Sequence, residues 1–275
     1  MKDHGDTIEL TIDVAPGVWV HCAVAGPSNA PALVLLPPLG GSGELFDPFR
    51  TNLAADHSVI TCEPPGSGDS AAPRGIPSTR ALARDVVDAL HELGVERAHL
   101  FGISLGSFVA QWVAIDAPAL VDHLVLASSA SRGLAGAMPL TLQKLAIARG
   151  LVLPESPAKL TEALFAPHVL DDAAERKRIQ AALEAHPHAL AEVLWLAAAA
   201  AAHDARDQLA RIGAPTLVLG GEDDEILPKD LQDELAAAIP GAVRLVIPGA
   251  GHAVAVDQPQ RAARSVRHFL RNHPL

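Results

Sequence analysis

Ala98-His-Leu-Phe-Gly102-Ile-Ser104-Leu-Gly106-Ser-Phe-Val-Ala-Gln-Trp112-Val113 contains the change of pattern that decides the fold. Residues 98–102 form a short apolar run without polar alternation, which is how a strand covered on both faces reads. After Ser104 the apolar residues Leu105, Phe108, Val109, Trp112 and Val113 recur at i, i+3, i+4, i+7 and i+8, the stripe of a helix. Between the two lies Gly102-Ile-Ser104-Leu-Gly106, a G-x-S-x-G pentapeptide at a strand-to-helix turn. A serine on so sharp a turn takes a strained backbone conformation, and glycines two residues to either side let neighbouring elements approach it. The turn carries the Ser104 hydroxyl to the carboxyl end of the strand, at a helix N-terminus that favours developing negative charge. A pattern this loose also arises in plain glycine-bounded turns, so its surroundings decide the reading.

Outward from this turn, apolar runs bounded by Gly and Pro predict further strands over 32–36, 58–62, 123–127, 216–220 and 243–247. Residues 7–14 and 18–25 alternate around Pro16-Gly17 and predict an antiparallel hairpin at a sheet edge. A helix over 79–93 places Leu82, Val86, Leu90 and Leu93 on one face, with Gly94 past its end. Two more helices are predicted over 228–239 and 258–270, the second with Pro259 in its first turn. Strand, helix, strand in repetition predicts an α/β fold: a mostly parallel, doubly wound sheet with right-handed crossovers. From Arg132 to Ala205 the rhythm breaks into Ala- and Leu-rich helical sequence punctuated by Pro154, Pro157, Pro167 and Pro187. The expected organisation is one core in two parts, 1–131 and 206–275, around an inserted helical cap at 132–205.

Composition narrows the function. The chain has 275 residues, 49% of them apolar, enough for a large buried core and unlike a disordered chain. A net charge of −11 with no basic run argues against nucleic acid as a partner. No signal-peptide pattern and no span of about 18 apolar residues stands out, so the expectation is a cytoplasmic protein without a membrane segment. Cys22 and Cys62 lie in strand-like runs and read as small buried hydrophobes. The thirteen histidines show no metal-ligand spacing, and His186 and His188 around Pro187 read as exposed loop residues. No metal and no cofactor is expected.

A serine hydroxyl needs a base to take its proton, and the base needs an acid to hold its tautomer. Downstream, Leu217-Val-Leu-Gly-Gly-Glu-Asp-Asp224 places acids just after a strand, and Gly249-Ala-Gly-His252 places a histidine just after the next. Both fall on the rim where Ser104 stands, and where open α/β sheets put their sites. His99, His123 and His268 lie in or beside predicted elements and read as structural or surface residues.

With these residues in place the chain resembles the α/β-hydrolase superfamily over its whole length except the insertion. The chain order Ser, Asp, His is that family's order. Glu63-Pro-Pro-Gly66-Ser-Gly68-Asp-Ser70 is similar to its D-x-x-G-x-G-x-S loop, with Glu for Asp. Gly221-Glu-Asp-Asp224-Glu-Ile-Leu-Pro228 is similar to its G-x-x-D-x-x-x-P pattern, which favours Asp224 over Asp223 as the acid. Gly251-His252 followed by Asp257-Gln-Pro259 resembles the family's ending. One departure is Pro37-Pro38-Leu39-Gly40-Gly41, where the family commonly has His-Gly after its first parallel strand. The resemblance implies an oxyanion hole there, built from the amides of Leu39 and Leu105. Leu39 keeps an NH, whereas Pro37 and Pro38 have none.

The resemblance therefore implies a serine hydrolase: Ser104 nucleophile, His252 base, Asp224 orienting acid. The apolar cap suggests an apolar or weakly polar acyl substrate, a carboxylic ester, lactone or thioester, with Ser128 and Trp195 expected to line the pocket. A carbon–carbon bond hydrolase, a cofactor-free perhydrolase or a slow-turnover ligand receptor would use the same residues.

Overall fold

The computed structural model describes residues 7–133, 164–186 and 189–272. Pro154, Pro157, Pro187 and His188 lie outside them. Among the described residues eight strands form one sheet in the order β1-β2-β4-β3-β5-β6-β7-β8. The hairpin β1 (Ile8–Ala15) and β2 (Val18–Ala25) turns at Pro16-Gly17, where Gly17 has φ 72°. β2 runs antiparallel to β4 (Ser58–Glu63), placing Cys22 opposite Cys62, both free and fully buried. From β4 onward every pairing is parallel, through β3 (Ala32–Leu36), β5 (Ala98–Ile103), β6 (Val121–Ala127), β7 (Thr216–Gly221) and β8 (Val243–Ile247). The predicted strands are all present to within two residues at either end. The strand order reverses about β3, which lies between β4 and β5, so the crevice of an open α/β sheet falls at the carboxyl ends of β3 and β5.

Helices cover both faces. On one side α2 (Thr79–Glu92), α3 (Leu105–Asp116) and α7 (Lys229–Ala238) close a core that includes Val34, Leu100, Val109, Leu124 and Val218. On the other, α1 (Asp47–Leu53), the short α8 (Val254–Asp257) and α9 (Pro259–Asn272) pack on Leu33, Phe101, Val125 and Leu219. α2 begins at Ser78, whose hydroxyl accepts the Ala81 amide at 3.3 Å, the usual way to satisfy an orphan donor at a helix start.

Two elements differ from the sequence expectation. α3 was expected to be amphipathic, yet every residue from Leu105 to Ile115 is buried, because the sheet, α2 and the chain returning at 203–211 enclose it. β8, by contrast, is an edge strand, and Val243 and Leu245 are about two-fifths exposed. A strand with one neighbour cannot be covered like a central one. Between β6 and β7 the described residues add no strand to the sheet: they hold α4 (Pro167–Asp171), α5 (Ala173–Glu184), α6 (Leu190–Ala201) over the predicted alanine run, a 3-10 helix (Arg206–Arg211) and one isolated bridge between Arg132 and Asp204. Among the described residues no helix is long and apolar enough to cross a membrane.

At the opposite end of the sheet from Ser104, His57, His99 and His123 stack edge-on, with ring centroids 5.9 and 4.9 Å apart. Burial, with the neighbouring His123, lowers His99 from 6.5 to about 4. Folded His99 thus stays neutral at pH values where the unfolded chain already takes up a proton, so its contribution is full above about 6.5 and is lost as pH falls toward 4. We expect urea unfolding at about pH 7.5 and about pH 4.5 to show wild type losing more stability on acidification than His99→Gln. Equal losses would contradict the assignment.

Candidate active site

Ser104 ends β5 and opens α3 with φ 53° and ψ −120°, a backbone conformation that side-chain-bearing residues rarely adopt. Its amide donates to the Ala127 carbonyl at 3.0 Å, and its carbonyl accepts the amides of Ser107 (2.9 Å) and Phe108 (3.2 Å). The flanking glycines are required by close approach. A Cβ on Gly106 would lie 2.2 Å from the Leu36 carbonyl oxygen and 2.5 Å from that of Pro37, and one on Gly102 would lie 2.3 Å from the Gly106 oxygen. These contacts press the end of β3 against the start of α3.

A buried polar chain backs the turn. The Ser107 hydroxyl donates to the Ser104 carbonyl (2.5 Å) and bonds the Ser129 hydroxyl (2.7 Å). Gln111 Nε2 donates to Ser129 and to the Ala130 carbonyl, while its Oε1 faces His203 Nε2 at 3.2 Å. His203 Nδ1 meets the Thr79 hydroxyl at 3.0 Å, and the ring stacks on Phe108. Burial holds His203 down to about 3, so it is neutral and its two nitrogens serve as one donor and one acceptor.

His252 follows β8. Its Nε2 is 2.8 Å from Ser104 Oγ, and its Nδ1 is 3.0 and 3.1 Å from the two carboxylate oxygens of Asp224. His252 and Asp224 are both buried. Asp224 Oδ1 also accepts the amides of Ile226 (3.0 Å) and Leu227 (2.9 Å), and Oδ2 accepts Gln232 Nε2 at 3.2 Å. A carboxylate can only accept from the ring, so Nδ1 carries the proton and Nε2 offers its lone pair to the Ser104 hydroxyl. Asp223 is exposed, and its amide donates to the Ala250 carbonyl.

The amide of Leu105 belongs to the first turn of α3, where no carbonyl one turn back is available to it. The loop carrying Leu39 leaves β3 beside this turn, closed by a Gly41 amide to Pro38 carbonyl bond of 3.0 Å, with Leu39 half-buried against the core. The Glu that replaces the family's Asp has a visible use. Glu63 Oε1 accepts the Gly43 amide (2.8 Å), Oε2 accepts that of Asp69 (3.0 Å), and His21 Nδ1 lies 3.0 Å from Oε2. Burial pushes Glu63 up, but His21 and the two amides outweigh it and hold the carboxyl below its usual range; the Glu63 hydrogen bond raises His21. The loop after β3 is thereby tied to the loop after β4.

Ser128 and Trp195, the expected pocket residues, each make a specific bond to the backbone. Ser128 is fully buried at φ 45°, and its hydroxyl donates to the His252 carbonyl at 2.6 Å, so it holds the histidine loop from beneath. The Trp195 indole donates to the Gly75 carbonyl at 3.0 Å and so packs α6 onto the loop before α2. His21, Gln232 and Arg244 carried no sequence signal, because His21 meets Glu63 across two strands and Gln232 and Arg244 meet only once a helix packs against a neighbouring strand. Asp257 stood in the family-like ending. Its Oδ2 accepts the Gly251 amide (2.7 Å), and its Oδ1 the amide of Ala166 (3.1 Å), joining the histidine loop to the inserted segment.

Burial raises Asp257 from 3.8 to about 6, against the two amides that favour its anion. The folded state therefore keeps this proton longer than the unfolded chain does, and the group's contribution falls as pH rises from about 3.8 to about 6. Comparing wild type with Asp257→Asn by urea unfolding from about pH 4 to pH 8, we expect wild type to lose ground to the variant up to about pH 6 and a constant difference above. A difference that is flat throughout would refute the assignment.

A family model for the alpha/beta hydrolase fold matches residues 31–259. A protein of Pseudomonas syringae pv. syringae named "Putative carbamate hydrolase RutD" is 30% identical over 258 residues, covering 90% of this chain and 96% of its own. The crystal structure of a hydrolase from Pseudomonas aeruginosa PA01 superposes with a TM-score of 0.81 at 29% identity, over 97% of this chain and 98% of that one. Est816, described as an N-acyl homoserine lactone degrading enzyme, superposes with a TM-score of 0.82 at 27% identity, over 94% of this chain and all of its own. Sheet order, strand-to-helix serine turn and family match agree, and the chain belongs to the alpha/beta hydrolase fold family.

Proposed function

We propose that the protein is a serine hydrolase that cleaves a carboxylic ester, lactone or thioester through an acyl-enzyme on Ser104. The observation that carries this is the unbroken line from Ser104 Oγ to His252 Nε2 (2.8 Å) and from His252 Nδ1 to Asp224 (3.0 Å). In this reading His252 takes the hydroxyl proton as Ser104 Oγ attacks the carbonyl carbon. The resulting oxyanion is held by the amides of Leu105 and Leu39, and His252 returns the proton to the departing oxygen or sulfur. Water then gives a proton to His252 as it attacks the acyl carbon, and His252 passes that proton to Ser104 Oγ as the acid leaves. Asp224 accepts from His252 Nδ1 throughout and stabilises the imidazolium.

The helices between β6 and β7 serve as the cap in this proposal. Support comes from their attachment beside the site: the Leu164 carbonyl accepts the Ala253 amide at 2.8 Å, and Leu196 lies against Gly66. The lactone degrading neighbour supports a cyclic or acyclic ester. The RutD relatives favour a second reading, a carbamate, whose carbonyl would pass through the same steps.

Labelling with a fluorophosphonate probe, mapped by mass spectrometry, should modify Ser104 in wild type and fail in Ser104→Ala. Asp224→Asn should keep the fold and lose about 10⁴-fold in rate, while Asp223→Asn changes little. Equal losses at both positions would sink the choice of acid, and wild type that resists labelling would sink the hydrolase reading. Assayed on p-nitrophenyl esters, lactones and aryl carbamates, the protein should turn over the first two faster; the reverse order would establish the second reading.

A further inference from the structure

The triad acid is braced from behind by two residues with no part in the reacting line. Gln232 on α7 is fully buried, and its Nε2 donates to Asp224 Oδ2 (3.2 Å) and to the Leu227 carbonyl (2.6 Å). Its Oε1 accepts Arg244 Nη2 at 2.8 Å. Arg244 on β8 is half-buried, with Nη1 directed at the Val218 and Leu245 carbonyls and Nε 3.3 Å from Asp233 Oδ1. A guanidinium has no acceptor. It therefore fixes which end of the Gln232 amide faces it and leaves only the NH2 end for Asp224. β7 makes room for the contact: a Cβ on Gly220 would lie 1.8 Å from Gln232 Oε1 and 2.9 Å from Arg244 Nη2.

We infer that Gln232 and Arg244 are positioning residues for the reaction: Arg244 orients and polarises the Gln232 amide, which pins Asp224 Oδ2 and so sets the orientation and basicity of His252. The inference rests on the hydrolase reading above. Asp224 Oδ1 is secured by two backbone amides that any side chain would leave in place, whereas among the described residues Oδ2 has Gln232 as its one donor besides the histidine. With that donor lost, the carboxylate is free to turn about Oδ1, and its negative potential at the imidazole is less compensated. Both effects act on His252. The looser ring lowers the rate of proton transfer, and the stronger negative potential raises the pH at which the ring becomes protonated.

Among the described residues the charged groups facing His252 are Asp224 after β7 and Asp257 on α8, with Arg244 on β8 and Asp233 on α7 behind Gln232. All four remain in a Gln232 variant. Gln232→Met keeps the volume without the donor, and Gln232→Glu keeps the Arg244 partner while turning an acceptor toward Asp224. The rate of Ser104 labelling by a fluorophosphonate, measured against probe concentration and pH, reads both effects without knowledge of the natural substrate. We expect the maximal rate to fall about 10- to 100-fold in Gln232→Met, with the half-saturating concentration unchanged. The acid limb should move to higher pH in both variants, further in Gln232→Glu, and upward in Arg244→Gln. Folded variants with a wild-type rate and acid limb would overturn the proposal. So would a reduced rate with an unmoved limb, because a merely structural role predicts that result. Wild type that resists labelling would instead remove the hydrolase reading, and the brace with it.

Discussion

Ser104 stands at φ 53°, ψ −120°, in a turn that has to be held by its surroundings. A side-chain-bearing residue in such a region costs about 1–3 kcal/mol, and the neighbouring structure opposes every relaxation. The end of β3 presses on Gly106, Gly106 presses on Gly102, and the Ser104 amide and carbonyl are bonded to β6 and to α3. The same contacts decide where the hydroxyl points and bring the loop with Leu39 beside the first amides of α3. A relaxed turn would lose both at once, so the positions of the candidate nucleophile and of the candidate oxyanion donors are a single geometric fact.

The polar chain behind the turn extends this constraint across the molecule. Ser107, Ser129, Gln111, His203 and Thr79 connect the Ser104 carbonyl to the start of α2 and to the point where the inserted segment rejoins the core. With His203 neutral, one ring nitrogen donates and the other accepts between Gln111 Oε1 and the Thr79 hydroxyl. A buried network that is fully satisfied stiffens its surroundings, and one that is partly satisfied is costly. An uncharged histidine stands where a hydrophobe would take from Gln111 Oε1 its contact with His203 Nε2 and from the Thr79 hydroxyl its contact with His203 Nδ1.

Two buried carboxylates near the site show how surroundings set behaviour. Glu63 and Asp257 each accept two backbone amides, and each is penalised by burial. Glu63 also has the imidazole of His21 at 3.0 Å and is held below its ordinary value, whereas His168 and His252 act on Asp257 only through space, and it rises to about 6. Two amides with histidines at a distance do not offset burial; two amides with a hydrogen-bonded histidine do. One carboxylate thus ties two loops together as an anion, while the other links the histidine loop to the insertion with a proton that leaves near neutrality.

The sequence by itself determined the fold class, the strand positions, the serine turn and the order Ser104, Asp224, His252. These rest on local patterns: apolar runs, helical spacing, and glycines flanking one residue. Tertiary structure alone decided the rest. It buried α3 on every side although five residues mark its stripe, and it left β8 at an edge although its composition is that of a covered strand. It put Ser128 beneath His252 and Trp195 on the 75–76 loop, because a residue just after a strand or within a helix has no sequence mark for which cavity or which backbone it meets. Gln232 and Arg244 were invisible for the same reason. A glutamine in a helix and an arginine in a strand become a brace only once α7, β7 and β8 are side by side, with Gly220 leaving room between them.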